Sequence, residues 1–492
     1  MINHEKQIKN TVIYILPVVL GNLLPFLTLP IFTRILTTKD YGVFALAQAY
    51  AIFVNGLANF GLTIGYERNF FEYKEPKRVS ALLYSTIAFV SVSIIIFAFI
   101  TYIFKSSFSQ WIIGSPDQGD ILFWAFCSTS VVGLRNYYLI YFKNKENAKA
   151  FVWYTIDESI LGVLFSLFFV AYLRIGVIGL IWGQLFASLI VFSVLSMKFI
   201  KLHKFVFNLE ILKDSLKLSY PLTPRIFFGV IGNQFDKYMI GLMSTIGGVG
   251  IYSIGQKVAY VVFTYMTAIQ NVFAPQVYRR MFDLGEEGKT SVGRYLTPFC
   301  YASIFLALLI SLFSEEIIFV VTSPTYHGAT DIVIVLSMLY GSYFFGKQPQ
   351  LIFAKKTYIT SILTIMSIGL NIVINIPFIM KWGAIGAAWG TLLAGLISGT
   401  VSFIIQQRYY EIKWEYKKIG ATYLIFVSSS VLMVVLRNMN FQYFIRLAVK
   451  LCFLSAYISL GVKIGLINLK TLSLFRNMLS NLQIRNVVNK NL

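Results

Sequence analysis

Long apolar runs parted by short charged clusters dominate this chain. The runs begin near Thr11, Tyr41, Ser80, Gly119, Thr155 and Gly176, and again near Lys217, Gly248, Tyr295, Ala329, Tyr358, Gly383, Ile419 and Phe441. A spanning helix needs about 20 mainly apolar residues, so the pattern predicts about fourteen transmembrane helices. The runs are continuous rather than alternating, which favours helices over a membrane barrel. Between the fifth and sixth runs only Arg174 and Gly176 mark the turn. The expected class is an all-α integral membrane protein without a sizeable soluble domain.

The pattern also repeats. Residues 41–48 (YGVFALAQ) match 249–256 (VGIYSIGQ) at a shift of 208, and 176–183 (GVIGLIWG) match 383–390 (GAIGAAWG) at 207. Pro17 and Pro221, each early in the first helix of its half, differ by 204. Three matches at nearly one offset predict two six-helix lobes, residues 1–200 and 217–407, joined by a cytoplasmic linker at 201–216. Six is even, so both lobes enter the membrane the same way up, related by a pseudo-two-fold along the membrane normal. Two further helices occupy 408–466, and 467–492 forms a cytoplasmic tail. Like lobes with a seam between them suit alternating access. A duplicated scaffold without a cavity is the plainer alternative.

Composition sharpens this. Hydrophobic residues make up 57% of the chain and charged residues 13%, about half the charge a soluble protein carries. A net charge of +21 suggests nucleic acid at first sight, but its distribution does not. With the N-terminus inside, 29 of the 42 Lys and Arg fall in inside segments and only six in outside loops, among them Arg34, Lys39 and Lys105. That bias follows the positive-inside rule and puts both termini in the cytoplasm, with the basic loops facing anionic lipid heads. Cys127, Cys300 and Cys452 all sit inside apolar runs, without disulfide or metal spacing. The first run, with Pro17, Pro25 and Pro30, reads as a retained helix rather than a cleaved signal. His4, His203 and His327 lie far apart, and no phosphate-binding glycine loop is present, so neither catalysis nor a cofactor is expected.

The candidate chemistry lies in polar residues inside the runs, where each charge costs about 2.5–3.5 kcal/mol on insertion scales. They are Arg135, Arg225, Asp236, Lys237, Lys257 and Lys347, with Asp157 and Glu158 near the start of the fifth run and Arg446 and Lys450 in the last. Cations outnumber acids. Arg225, Gly229, Gly232 and Asp236 follow at 4, 3 and 4 and share one helix face. Arg225 would meet an anionic group, and Asp236 is expected to pair with Lys257 on the next helix; the other reading is helix packing on the glycines with structural ion pairs. Gln48, Asn55 and Asn59 share a face, as do Gln256, Thr267 and Asn271, and Gln48 and Gln256 are repeat mates. Such amides suit sugar hydroxyls, which donate and accept, or else bond helix to helix. Arg34 lies at the outer end of the first helix, Arg135 and Lys347 toward inner ends, and Asp157 and Glu158 at the inner interface. The glycines at 176, 179, 183, 383, 386 and 390 are expected to be close-packing devices.

Two motifs carry a family likeness. Thr33-Arg34-Ile35-Leu36 precedes Asp40-Tyr41-Gly42-Val43-Phe44, and Asp236-Lys237-Tyr238-Met239-Ile240-Gly241 precedes Gly250-Ile251-Tyr252-Ser253 and Lys257. Both resemble the polysaccharide-biosynthesis branch of the multidrug/oligosaccharidyl-lipid/polysaccharide exporter superfamily, the Wzx-type flippases, and the resemblance runs over essentially the whole chain. It implies a monomeric flippase in the bacterial inner membrane. Such a protein moves an undecaprenyl-diphosphate-linked oligosaccharide from the cytoplasmic to the periplasmic leaflet for O-antigen, lipopolysaccharide, capsule or a related polymer. It further implies a polar cleft with a side opening for the lipid tail, H+ or Na+ as coupling ion, and polymerase and chain-length proteins as pathway partners. A MATE-like drug/ion antiporter is the competing reading, though its cationic substrates call for acidic intramembrane residues. A membrane polymerase would carry a large periplasmic loop, and the outside segments near 105–119 and 314–329 are short.

Reporter fusions after Arg78 and Ser215 are expected to report cytoplasm, and one after Gly114 periplasm. The reversed pattern would contradict the charge argument.

Overall fold

In a computed structural model of the chain, the described residues are 24 and 26–467, apart from 74, 204, 221, 222, 346 and 347. Among them there are helices and turns but no strand. Pro17, Pro221 and Lys347 lie outside the described residues.

The helices follow the apolar runs. In order they are α1 (Phe26–Ile35), α2 (Thr38–Asn59), the short α3 (Leu62–Glu72), α4 (Pro76–Ile103), α5 (Lys105–Ile112), α6 (Gly119–Asn144), α7 (Ala148–Leu167) and α8 (Val177–Leu202). After α9 (Leu209–Ser219) come α10 (Thr223–Met243), α11 (Ile246–Asp283), α12 (Gly285–Leu312), α13 (Ser314–Val321), α14 (Ala329–Ser342), α15 (Gln350–Phe353), α16 (Thr357–Tyr409), α17 (Tyr416–Asn438) and α18 (Tyr443–Lys463). Among the described residues nine helices are long and apolar enough to cross a membrane, and one of these, 358–409, is bent at Gly383 into two limbs. α6 and α10 are as long, at 26 and 21 residues, and hold Arg135, Arg225, Asp236 and Lys237. The chain is a multi-pass, all-α membrane protein.

One boundary differs from expectation. The seventh run does not start a spanning helix at Lys217, which lies on α9 instead. The N-cap Asn208 accepts from the backbone of Glu210 and Ile211, at 2.9 and 3.1 Å, so α9 starts as its own helix. Its Ser215 meets Asn69 of α3 at 2.9 Å, and Ile211 joins the core that Tyr66, Leu82, Tyr137 and Leu195 build between α3, α4, α6 and α8. The next long helix, α10, starts at Thr223.

The repeat is visible in local geometry. Gly176 starts α8 with φ 68 and ψ −144, and its mate Gly383 bends α16 with φ 60 and ψ −133. Only glycine holds that conformation without strain. Of the six glycines expected to serve close packing, Gly179, Gly183, Gly386 and Gly390 do, since an added Cβ would press on Val170, Ser166, Phe378 and Asn375. Gly176 does not: a Cβ there meets nothing within 4 Å among the described residues, and the backbone turn is what requires glycine. A further match emerges at Ser115-Pro116 and Ser323-Pro324, 208 apart, where each opens a single 3₁₀ turn, Pro116–Gln118 or Pro324–Tyr326.

Two compact units form. The first gathers the described parts of Met1–Lys257 with Glu315–Ile332 and Tyr358–Ser398. The second gathers Val258–Ser314, Val333–Thr357 and the described parts of Gly399–Leu492. Within the second, α18 is clasped to α12 by two tyrosines. Tyr301 Oη donates to Tyr457 O at 3.0 Å, and Tyr457 Oη to Tyr301 O at 2.7 Å. Ser311 and Ser430 join α12 to α17 at 2.7 Å.

Gly176→Ala and Gly383→Ala should each lower stability by about 1–3 kcal/mol, read as a drop in the thermal unfolding midpoint of the detergent-purified protein. Gly369→Ala is the control, because a Cβ there meets nothing within 4 Å. It should match the parent or raise stability by up to about 1 kcal/mol, because alanine suits a helix interior better than glycine. Equal midpoints in all three would defeat the backbone argument.

Candidate functional site

α10, α11 and the two limbs of α16 assemble a polar centre in the first unit around Asp236, which is 4% exposed. Tyr252 of α11 donates its hydroxyl to Asp236 Oδ2 at 2.8 Å, and Thr391 donates to the same oxygen at 3.2 Å. Asn375 Nδ2 donates to Oδ1 at 3.1 Å and to Thr391 Oγ1 at 3.1 Å. Asn371 Nδ2 reaches Thr391 Oγ1 at 3.2 Å. The hydrogen bonds to this carboxylate out of water thus come from neutral donors, and Lys237 is the cation that acts on it electrostatically. The bend at Gly383 makes this possible, because it folds 384–409 back so that Thr391 returns beside Asn371 and Asn375. Gly390 contributes as well, since a Cβ there would collide with Asn375 Oδ1. The donor set, one carboxylate with amides and hydroxyls, suits a proton or a hard monovalent cation once the amides turn their oxygens inward. Among the described residues no group of three or more His, Cys, Asp or Glu is arranged for a transition metal.

The expected Asp236–Lys257 ion pair is not formed: Asp236 takes its bonds from Tyr252, Asn375 and Thr391, and Lys257 is exposed without a carboxylate within 4 Å among the described residues. Similar depth on antiparallel helices did not fix which way the two side chains face. Lys237 bonds Gln234 Oε1 at 2.9 Å. Arg225 lies on α10 and Asn271 on α11, but both side chains fall outside the described residues. On the Arg225 face, a Cβ added at Gly229 meets nothing within 4 Å among the described residues, whereas one added at Gly232 would come 3.0 Å from Ile368.

The amides of α2 differ among themselves. Asn59 donates to Tyr137 Oη at 2.9 Å and accepts from Thr63, tying α2 to α6. Asn55 lies over Gly133 of α6, where a Cβ would come within 3.2 Å of its Nδ2. Gln48 Nε2 is buried with no hydrogen-bond partner among the described residues, and Gln256 is half-buried. Arg135 is paired with Glu158, side chains 8% and 12% exposed, and Ser188 donates to Glu158 at 2.6 Å. Glu158, on α7, is thus half of a buried pair joining α6, α7 and α8.

The first family motif has a mechanical reading that the sequence did not offer. Ser323 Oγ donates to Thr33 O at 2.7 Å, and Ser323 N to Thr33 Oγ1 at 3.1 Å. Tyr326 Oη donates to Leu36 O at 2.9 Å, and its ring meets Tyr41 edge-on at 5.5 Å. One turn further, α2 crosses the start of α11 with backbones in contact. A Cβ on Gly42 would strike Ile246 O, and one on Gly250 would strike Thr38 O. Gly42 and Gly250 are repeat mates, and so are Thr38 and Ile246. The crossing is thus symmetric in sequence and in space. Arg34 is exposed beside this latch.

A family model described as polysaccharide biosynthesis protein matches residues 8–279. Among curated proteins, a "Probable low-salt glycan biosynthesis flippase Agl15" from Haloferax volcanii is 25% identical over 199 residues, which is 39% of this chain and 42% of that protein. The match therefore spans less than half of the relative. Among solved structures, the lipid II flippase MurJ in an inward closed conformation has a TM-score of 0.70, at 16% identity over 94% of this chain and 100% of that one. An inward-facing multidrug resistance MATE family transporter of the MOP superfamily has a TM-score of 0.61, at 13% identity over 84% and 95%. At such identities the likeness is one of fold. The family match covers more than half of the chain, so the chain belongs to the polysaccharide biosynthesis protein family, with a transporter fold of the MurJ and MATE kind.

A double-mutant cycle tests whether Asp236 is charged in the folded protein. Tyr252→Phe should cost about 1.5–3 kcal/mol with Asp236 present, as for a hydrogen bond to a charged group. It should cost clearly less in an Asp236→Asn background. Equal costs in thermal unfolding would show that no charged acceptor is there.

Proposed function

We propose that this member of the polysaccharide biosynthesis protein family flips an undecaprenyl-diphosphate-linked oligosaccharide across the bacterial inner membrane by alternating access. The observation that carries the reading is the symmetric Gly42–Gly250 crossing, a bare backbone contact between the two halves of a repeated transporter fold. In this reading residues 1–200 and 217–407 are the rocking lobes, 201–216 the linker, and 408–466 an added helix pair; both termini are cytoplasmic, and the crossing closes the periplasmic end. Arg225 and Lys257 receive the diphosphate, as the excess of intramembrane cations favours an anionic cargo. Gln48, Asn55, Gln256 and Asn271 offer amides to sugar hydroxyls, with Asn59 holding their helix in place. Asp236 is the coupling site for H+ or Na+, because its neutral partners let its charge be cancelled without breaking an ion pair. A MATE-like drug antiporter shares the fold, but a cationic cargo fits these cations poorly.

An engineered disulfide tests the gate and the cargo together. A Cβ on Gly247 would lie 3.9 Å from Thr38 Cβ, within the range of about 3.5–4.5 Å that a disulfide needs. In proteoliposomes carrying a fluorescent undecaprenyl-diphosphate disaccharide, Thr38→Cys/Gly247→Cys is expected to stop flipping when oxidised and recover on reduction. The single variants should flip at the parent rate in both states. Undiminished flipping by the cross-linked protein would overturn alternating access at this end. Inactivity of the uncross-linked parent on this lipid would overturn the cargo.

A further inference from the structure

A cavity of about 790 Å³ opens in the second unit, where α11 and α16 end and α12 and α17 begin. Its wall holds two cations and two carboxylates: Lys289, Arg408, Glu286 and Glu411. Lys289 and Glu286 pair with each other at 2.7 Å. Arg408 and Glu411, three residues apart and both exposed, have no ion-pair partner within 4 Å among the described residues. Between them Tyr410 is 8% exposed, and its hydroxyl is buried with no hydrogen-bond partner among the described residues.

The rim is built, not loose. Gln407 clamps the backbone of Ile412 from both sides, accepting from its N–H at 2.8 Å and donating to its carbonyl at 2.9 Å. Lys413 N donates to Lys289 O at 3.1 Å. Gly288 and Gly293 admit the segment, since a Cβ on Gly293 would strike Lys413 O and one on Gly288 would sit 3.0 Å from the Tyr410 hydroxyl. Ile404 and Tyr416, 48% and 60% exposed, line the same cavity with apolar surface.

We propose that this cavity binds the headgroup of a zwitterionic phospholipid bearing a primary ammonium, with phosphate on Arg408 and the Tyr410 hydroxyl and the ammonium on Glu411. Charge balance selects this class. A purely anionic headgroup would leave Glu411 unmatched beside it, while a quaternary ammonium has no N–H to give Glu411. The helix ends place the cavity at headgroup depth, where tyrosine rings are at home, and Ile404 and Tyr416 offer surface to the acyl chains. The site is independent of the transport reading and adds a lipid ligand to the protein.

Short-chain lipids below their micelle concentrations test it on the detergent-purified full chain. Dihexanoyl-phosphatidylethanolamine should raise the melting temperature more than the phosphatidylcholine or phosphatidylglycerol of the same chains. Arg408→Gln and Glu411→Gln should each weaken its apparent affinity by about tenfold or more, the loss of one charge-assisted hydrogen bond, with lipid-free melting unchanged. Should either variant melt early by itself, Tyr410→Phe removes only the hydroxyl and is expected to weaken the ethanolamine lipid several-fold. Equal or tighter phosphatidylglycerol binding, or ethanolamine-lipid binding indifferent to all three substitutions, would overturn the proposal.

Discussion

Nothing larger than a hydrogen fits where α2 and α11 cross, and the arrangement of the first unit follows from that. Gly42 faces Ile246 O and Gly250 faces Thr38 O, so each half presents the same surface to the other. Without a hydrophobic drive between helices in lipid, such contacts rest on close backbone approach and on hydrogen bonds. Both are present here: the glycine crossing lies beside the bonds from Ser323 to Thr33 and from Tyr326 to Leu36.

The same solvent explains where the charges lie. Hydrocarbon offers no partner to a polar group, so each must be met inside the protein. α6 and α10 hold Arg135 and Asp236, and both of these are buried. Arg135 is met by Glu158, itself held by Ser188. Asp236 is met by a hydroxyl, an amide and a second hydroxyl from three other stretches of chain. Each centre ties three or more helices together, so each also helps fix the packing around it.

Much of this was legible in the sequence, and the limits have physical causes. Run length and apolar continuity located the helices, and repeat spacing paired Gly42 with Gly250 and Gly176 with Gly383. What those glycines do was half-legible: a glycine says that something small is needed, but not whether for a close contact, as at Gly386, or for positive φ, as at Gly176. The partners of Asp236 were hidden because Asn371, Asn375 and Thr391 come from helices more than 130 positions away. Depth along α10 and α11 placed Lys257 level with Asp236, yet depth leaves the angle around each helix open. The Ser-Pro pair at 115 and 323 carried the repeat offset in plain view and would have been found by extending the same comparison into the loops.

The repeat itself then separates frame from chemistry. The crossing glycines, the Ser-Pro turns and the Gly176/Gly383 turns recur in both halves. The polar centres do not. At offsets of 208 and 207 the mates of Asp236, Tyr252, Asn375 and Thr391 are Thr28, Phe44, Phe168 and Gln184, so the first half has no second carboxylate site. The mates of Arg135 and Glu158 are Tyr343 and Ile365, so the second half has no counterpart of that buried pair at these positions. A carboxylate already matched by a guanidinium resists a change of charge, because neutralising it strands the buried partner. A carboxylate held by neutral donors strands nothing when a proton or cation arrives. Two halves with one frame therefore differ in their buried chemistry: Arg135 meets a charged partner, and Asp236 meets neutral hydrogen-bond donors.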